Sequence, residues 1–87
     1  MMHWNVISVQ PKENLTLWVK FSDGTSGDVK FTKEYLTGVF EPLKDPIFFR
    51  QAFVSDGVVM WPGEVDLAPD AMYDQIKKNG IWTLGKS

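Results

Sequence analysis

The chain has 87 residues, no cysteine, one histidine and a formal net charge of −2 at pH 7. One small domain spanning residues 1–87 is therefore expected, and disulfides, thiolate chemistry and zinc sites built on cysteines or several histidines are excluded. Scattered lysines in a slightly acidic chain also disfavour nucleic-acid binding, which draws most of its affinity from cations that neutralise phosphates.

The N-terminal part of the chain predicts antiparallel strands joined by a tight hairpin. The stretches "WNVISVQ" and "LTLWVKF" alternate apolar and polar residues, which is typical of strands. The dipeptide Asp23-Gly24 separates "LTLWVKF" from "TSGDVKF" and predicts a β-hairpin, because both residues tolerate positive φ. Gly27, inside the third strand, indicates a bulge or a close approach of another backbone.

The rest of the chain predicts short helical turns, a second hairpin and one helix. "TKEYLTG" and "DPIFFRQ" each favour a short helical turn. Asp56-Gly57 predicts the second hairpin. "DLAPDAMYDQIKKNG" predicts the one clear helix, with Met72 and Ile76 on one side and Gly80 at its end.

These elements predict an α+β fold. We expect an antiparallel sheet of about five strands that contains both Asp-Gly hairpins, with short helical turns and one C-terminal helix on one face. The tail, residues 80–87, either docks on the body or adds an edge strand. No stretch approaches the length of a membrane span, and the N-terminus does not resemble a signal peptide, so a cytoplasmic protein without a membrane partner is expected.

Several acids cluster just before and within the predicted helix. Pro69 fits the first helical position, Asp70 the first turn, where its charge offsets the helix dipole, and Asp66 is a candidate cap. Alternatively, Glu64, Asp66 and Asp70 bind a hard cation, although they lack the spacing of a calcium loop. The structural interpretation is favoured, and His3 has no partner at a catalytic spacing. No catalytic residue, metal or cofactor is therefore predicted.

The tryptophans are the strongest candidates for a binding surface. Trp18 shares a strand face with Thr16 and Lys20, and we expect Trp4 on the same face of the neighbouring strand. If that face is open, the two tryptophans form an apolar patch of the kind that marks an interface; otherwise a helix, or the tail with Trp82, covers it. The candidate partner-binding residues are Trp4, Trp18, Lys20 and Trp82.

Three ordered motifs, "FSDGTSGDVKF", "GVFEPLKDPIFFRQAFV" and "VVMWPGEVDLAPDAMYDQI", resemble those of a small bacterial family, the domain of unknown function 2442 family. The resemblance runs from about Val6 to Ile76. It implies an α+β module without an assigned enzyme activity. In some relatives the module precedes a helix-turn-helix domain, and other relatives look like one half of two-gene cassettes that resemble toxin–antitoxin pairs.

The leading hypothesis is a small cytoplasmic module that binds another protein or a second copy of itself, in an antitoxin-like role and without enzyme activity. The absence of a catalytic pattern, the many aromatic residues and the small size motivate it. One alternative is an accessory module of a DNA-binding regulator. The other is a small metal-dependent binder or enzyme that uses the acidic segment 64–74.

Overall fold

A computed structural model describes residues 4–63 and 65–85 of the chain. The strands are β1 (Val6–Lys12), β2 (Thr16–Phe21), β3 (Ser26–Phe31), β4 (Phe53–Ser55), β5 (Val58–Trp61), β6 (Val65–Asp66) and β7 (Ile81–Leu84). The helices are two 3₁₀ segments, Lys33–Tyr35 and Gly38–Lys44, and the α-helices α1 (Pro46–Phe49) and α2 (Pro69–Asn79). Within the described ranges, no helix is long and apolar enough to cross a membrane.

The strands form two sheets in a mixed α/β arrangement. The larger sheet has the order β1-β2-β3-β7, and the smaller has the order β4-β5-β6. Strands β1, β2 and β3 are antiparallel neighbours, whereas β7 pairs with β3 in parallel. The predicted single antiparallel sheet of about five strands is therefore wrong. Within the predicted tail, β7 follows α2 and lies beside β3 in parallel, as in a helical crossover, whereas Lys86 and Ser87 lie outside the described residues.

The second hairpin belongs to the smaller sheet, and a backbone hydrogen bond at its turn joins it to the larger one. The backbone N–H of Val6 donates to the carbonyl oxygen of Gly57 at 3.0 Å. Strand β4 itself is only three residues long and pairs with β5 alone. The sequence predicts the hairpin but not the hydrogen bond between Val6 and Gly57, because these residues are about fifty positions apart along the chain.

Both predicted Asp-Gly hairpins are confirmed, but their turns differ. At the β4–β5 turn, Asp56 and Gly57 have φ values of 52° and 79°, as a type I′ turn requires. At the β2–β3 turn, only Gly24 has a positive φ, 92°. There the N–H of Phe21 bonds to the carbonyl of Thr25, and the N–H of Gly24 bonds to the carbonyl of Phe21. This is the three-residue loop in which a type I turn is followed by a left-handed residue.

Helix α2 packs on one face of the larger sheet, as the sequence predicted. Its buried residues, Met72 and Ile76, belong to the hydrophobic core, and the helix contacts β3 and β7. At Gly27 a Cβ atom would lie 2.5 Å from the carbonyl oxygen of Gly80 and 2.7 Å from Cγ2 of Ile76. Glycine at position 27 therefore lets the end of α2 contact the sheet directly, which is the close approach that the sequence indicated.

The start of α2 differs from the expected cap. The helix begins at Pro69, and the carboxylate of Asp70 accepts a hydrogen bond from the N–H of Ala71 at 2.9 Å in the first turn. Ala68 occupies the cap position and makes no side-chain cap bond. Asp66 lies in β6, where it pairs with Met60, and is therefore held in a strand two residues before the cap.

Candidate functional site

An open cleft of about 490 Å³ lies at the end of the larger sheet where the β1–β2 turn meets α1. Its lining consists of Lys12 at the end of β1 and residues 13–15 of the turn, together with Lys33, Lys44, Pro46, Phe49 and Arg50. We call this site the basic cleft, because four of these side chains, Lys12, Lys33, Lys44 and Arg50, are cationic and only Glu13 is acidic. The volume is within the range of small-molecule and side-chain pockets.

Three of the four cations have no acidic partner in the described part of the chain. Lys12 pairs with Asp28, with an Nζ–Oδ1 distance of 3.3 Å. The other described ion pair, Lys78 with Asp74, lies in α2. Lys33, Lys44 and Arg50 make no ion pair with a described residue and are exposed. Asp45, the acid next to Lys44, uses its carboxylate to accept the N–H of Ile47 at the start of α1.

The floor of the basic cleft is apolar and is anchored in the core. Phe49 is buried and contacts Phe31 and Trp61, with ring centroids 5.8 and 6.0 Å apart. The indole N–H of Trp61 donates to the carbonyl oxygen of Phe49 at 2.9 Å. This bond satisfies the polar atom of a fully buried tryptophan and fixes the end of α1. The floor is thus part of the rigid core rather than a loose surface loop.

The β1–β2 turn, which forms one wall of the cleft, has an unusual backbone. Asn14 and Leu15 have φ values of 61° and 55°, and for leucine this left-handed conformation is uncommon. Two hydrogen bonds hold it: the N–H of Phe31 donates to the carbonyl of Leu15, and the hydroxyl of Thr16 donates to the carbonyl of Asn14. Backbones in sparsely populated conformations occur where neighbouring structure fixes them, and they are frequent at functional sites.

The structure divides the predicted partner-binding residues between two faces of the larger sheet. Trp18 pairs with Gln10 and Asp28, on the face opposite to α2, where it is half-buried beside exposed Lys20. Trp82 pairs with Val29 and packs against the core, on the α2 side. The face that carries Trp18 is therefore open, but Trp82 does not cover it and does not belong to the same patch.

Trp4 also lies against the core, because β1 contains a bulge that the sequence pattern does not show. Val6 pairs with Phe21, whereas Ser8 pairs with Lys20, so Ile7 is an extra residue on β1. The bulge turns Val6, and the chain before it, towards the buried face. Simple alternation would have placed Trp4 beside Trp18, but Trp4 packs against the hydrophobic core.

The candidate metal ligands do not form a recognisable centre in the described part of the chain. Asp66 and Asp70 are both exposed, one in β6 and the other in the first turn of α2. Glu64 and His3 lie outside the described residues. Residues 4–63 and 65–85 contain no group of three acids or histidines close enough to hold a metal ion.

Sequence reasoning did not find the basic cleft, because its cations come from four separate positions between residues 12 and 50. The available signal was that each cation stands at or next to the end of a predicted strand or helical turn. That signal becomes informative only when the topology shows that these chain positions meet at one end of the larger sheet.

Comparison with known proteins places the chain in a family without assigning an activity. No curated protein and no solved structure matches it. A family model described as "Protein of unknown function (DUF2442)" matches residues 6–78. This range contains all the residues that line the basic cleft and nearly all of α2, whereas β7 follows it. The chain therefore belongs to the DUF2442 family, as its three sequence motifs indicated.

Proposed function

We propose that the protein is a cytoplasmic module that acts by binding another protein, without enzyme activity, and that the basic cleft is its binding site. The observation that carries the proposal is a set of three cations, Lys33, Lys44 and Arg50, around an apolar floor and without an ion pair to any described residue. An antitoxin-like role, as one half of a two-gene pair, is one form of this function, and a homodimer is another.

The arrangement of charge supports binding more than folding. Positively charged side chains around one cleft repel each other. Without acidic partners they add little to the stability of the free protein. A ligand that brings carboxylates would neutralise them. The apolar floor adds a surface on which a side chain of the ligand loses contact with water. A cleft that combines both features suits a segment of a protein chain better than it suits a small inorganic ion.

The test is capture of a partner from cells that naturally make the protein. The tagged wild type is compared with a double variant, Lys44→Gln with Arg50→Gln, which removes two cleft cations and leaves the buried floor unchanged. Both changed residues are exposed, so the variant is expected to fold, which circular dichroism checks. We expect a stoichiometric protein partner with the wild type and its loss with the double variant.

The matched control is Lys77→Gln with Lys78→Gln, which removes the same charge from the opposite end of the sheet. The last turn of α2 packs on Gly27 at the start of β3, whereas the cleft lies beside Phe31 at the end of β3. The control variant should retain the partner. Retention of the same partner by the cleft variant, or no partner for any form even at low salt, would contradict the proposal.

A further inference from the structure

The chemistry of the basic cleft restricts the kind of segment that it can bind. The chain as a whole has a net charge of −2, yet the cleft lining contains four cations and one carboxylate. The cleft is thus a local positive region on an otherwise acidic protein. Its ligand must be anionic, because a neutral or cationic segment would leave these cations partly desolvated and unpaired.

The three cleft cations without an ion pair to a described residue enter the cleft from three separate segments of the chain. Lys33 begins the first 3₁₀ helix, Lys44 ends the second, and Arg50 follows α1. They therefore surround the floor instead of following one strand or helix. Arg50 can bind a carboxylate through two parallel hydrogen bonds, whereas the lysines act as point charges. This distribution suits several separate carboxylates better than a single compact anion.

The apolar floor requires a second feature of the ligand. Leu15, Pro46 and Phe49 present hydrocarbon to the cleft, and Phe49 is fixed in position by the core. A phosphate ion would neutralise the cations but would leave this floor without a partner. A nucleic-acid strand is disfavoured because the chain as a whole is acidic, and such binding draws most of its affinity from phosphate neutralisation. A peptide segment can supply an apolar side chain to the floor and carboxylates to the rim at the same time.

We infer that the basic cleft binds an extended acidic segment of a partner protein, in which aspartates and glutamates flank one apolar residue. This inference rests on the proposed function and specifies its ligand. The apolar side chain lies on the floor formed by Leu15, Pro46 and Phe49. The flanking carboxylates pair with Lys33, Lys44 and Arg50.

The probe is a capped, fluorescent peptide of about seven residues, glutamates and aspartates around a central phenylalanine, which spans roughly 23 Å when extended. Binding is measured by fluorescence anisotropy at low and moderate salt. One control peptide has every acid replaced by its amide, and a second has serine in place of phenylalanine. A single-stranded oligonucleotide of similar charge is tested in parallel.

The expected result is saturable binding of the acidic peptide that weakens as salt rises, with no binding of the amide peptide and weaker binding of the serine peptide. The Lys44→Gln, Arg50→Gln variant should bind about tenfold more weakly or worse, because it loses two charge-assisted contacts. The Lys77→Gln, Lys78→Gln variant should bind like the wild type.

Four outcomes would overturn the inference: no binding of the acidic peptide, equal binding of the amide peptide, equal weakening by the α2 control variant, or tighter binding of the oligonucleotide. These outcomes are separable from a failure of the proposed function. If partner capture depends on Lys44 and Arg50 but the acidic peptide does not bind, the ligand class is wrong and the binding site stands. If neither depends on these residues, both proposals fail.

Discussion

A side-chain hydrogen bond between Tyr73 and Asp23 connects the β2–β3 turn to α2. The hydroxyl of Tyr73 donates to Oδ2 of Asp23 at 2.6 Å, and the N–H of Thr25 donates to Oδ1 of the same carboxylate at 2.9 Å. The bond from Tyr73 is the main cause, and the bonds from Thr25 the next, of a pKa of about 2 for Asp23, below its ordinary value of 3.8. The carboxylate is therefore favoured in its charged form in the folded state.

The lowered pKa predicts how this contact responds to acid. Because the pKa of Asp23 is lower in the folded than in the unfolded chain, its contribution to stability is fully present above pH 3.8 and is lost as the pH falls to about 2. In Tyr73→Phe the pKa of Asp23 should rise towards 3.8, and the protein should lose less stability between these two pH values. NMR titration of the Asp23 carboxyl carbon and urea unfolding at several pH values measure the two effects.

Tyr35→Phe is the control for this change, since Tyr35 is also half-buried but contacts Phe31 and Phe40 instead of Asp23. It should leave the pKa of Asp23 unchanged. Tyr73→Phe keeps the aromatic ring, whose centroid lies 5.1 Å from that of Phe21 in an edge-to-face contact. Tyr73→Phe and Tyr35→Phe therefore differ mainly in which hydroxyl is removed. A wild-type Asp23 that titrates near 3.8 would show that the hydrogen bond does not form in solution.

At the level of elements, the sequence predicted what local chemistry determines. The Asp-Gly dipeptides produce both hairpins, the proline at position 69 begins α2, and the close contact at Gly27 follows from a glycine within a strand pattern. In each case a few neighbouring residues contain the signal. The same is true of the face of α2 that carries Met72 and Ile76.

The parts that the sequence did not predict depend on contacts between distant segments. The bulge at Ile7 is visible only in the register of β1 against β2, and it turns Val6 towards the core, against which Trp4 also packs. The strands separate into two sheets, and the β4–β5 turn bonds to Val6 of the larger one, a contact between segments about fifty residues apart. The basic cleft depends on both the sheet order and the position of α1, so no local pattern could reveal it.

Helix α2 has a cap residue without a side-chain acceptor, which a single substitution should improve. Ala68 has the extended conformation of a cap residue, with φ −68° and ψ 114°, but it has no side-chain oxygen. In Ala68→Ser the hydroxyl oxygen can accept an N–H of the first turn, which we expect to raise the free energy of unfolding by about 1 kcal/mol. Urea unfolding with an unchanged dependence on denaturant concentration measures the gain.

The matched control is Ala71→Ser, which makes the same chemical change within the first turn of α2 instead of at its cap. Serine has a lower helix propensity than alanine, so this variant should lose about 0.5 kcal/mol. Both positions are exposed, and neither change alters the core. If the two variants change stability equally, the gain at position 68 does not come from capping.

At the level of the whole molecule, charge is distributed unevenly. The net charge of −2 is small, but three cleft cations, Lys33, Lys44 and Arg50, have no acidic partner among the described residues. By contrast, Lys12 pairs with Asp28, and Lys78 pairs with Asp74. Functional sites often retain groups that reduce stability, because binding requires them. If the cleft cations are present to bind a ligand, they should not stabilise the free protein.

This reasoning predicts that the triple variant Lys33→Gln, Lys44→Gln, Arg50→Gln is more stable than a control triple, Lys20→Gln, Lys30→Gln, Lys78→Gln. Each triple removes three positive charges and changes the net charge from −2 to −5, so general repulsion rises equally in both. The cleft triple also removes repulsion among unpaired cations, whereas the control triple breaks the Lys78–Asp74 pair. We expect a difference of about 1 kcal/mol at low salt, measured by urea unfolding.

The salt dependence of this difference tests its cause. The charges are exposed, so salt screens them. The Debye length is about 10 Å at 0.1 M salt and about 3 Å at 1 M. The repulsion across the cleft and the attraction between Lys78 and Asp74 should therefore both weaken as the salt concentration rises. The stabilities of the two triples should therefore converge in high salt. A cleft triple that is less stable than the control at low salt would mean that Lys33, Lys44 and Arg50 stabilise the free protein. Their unpaired charges would then no longer be an argument for a ligand.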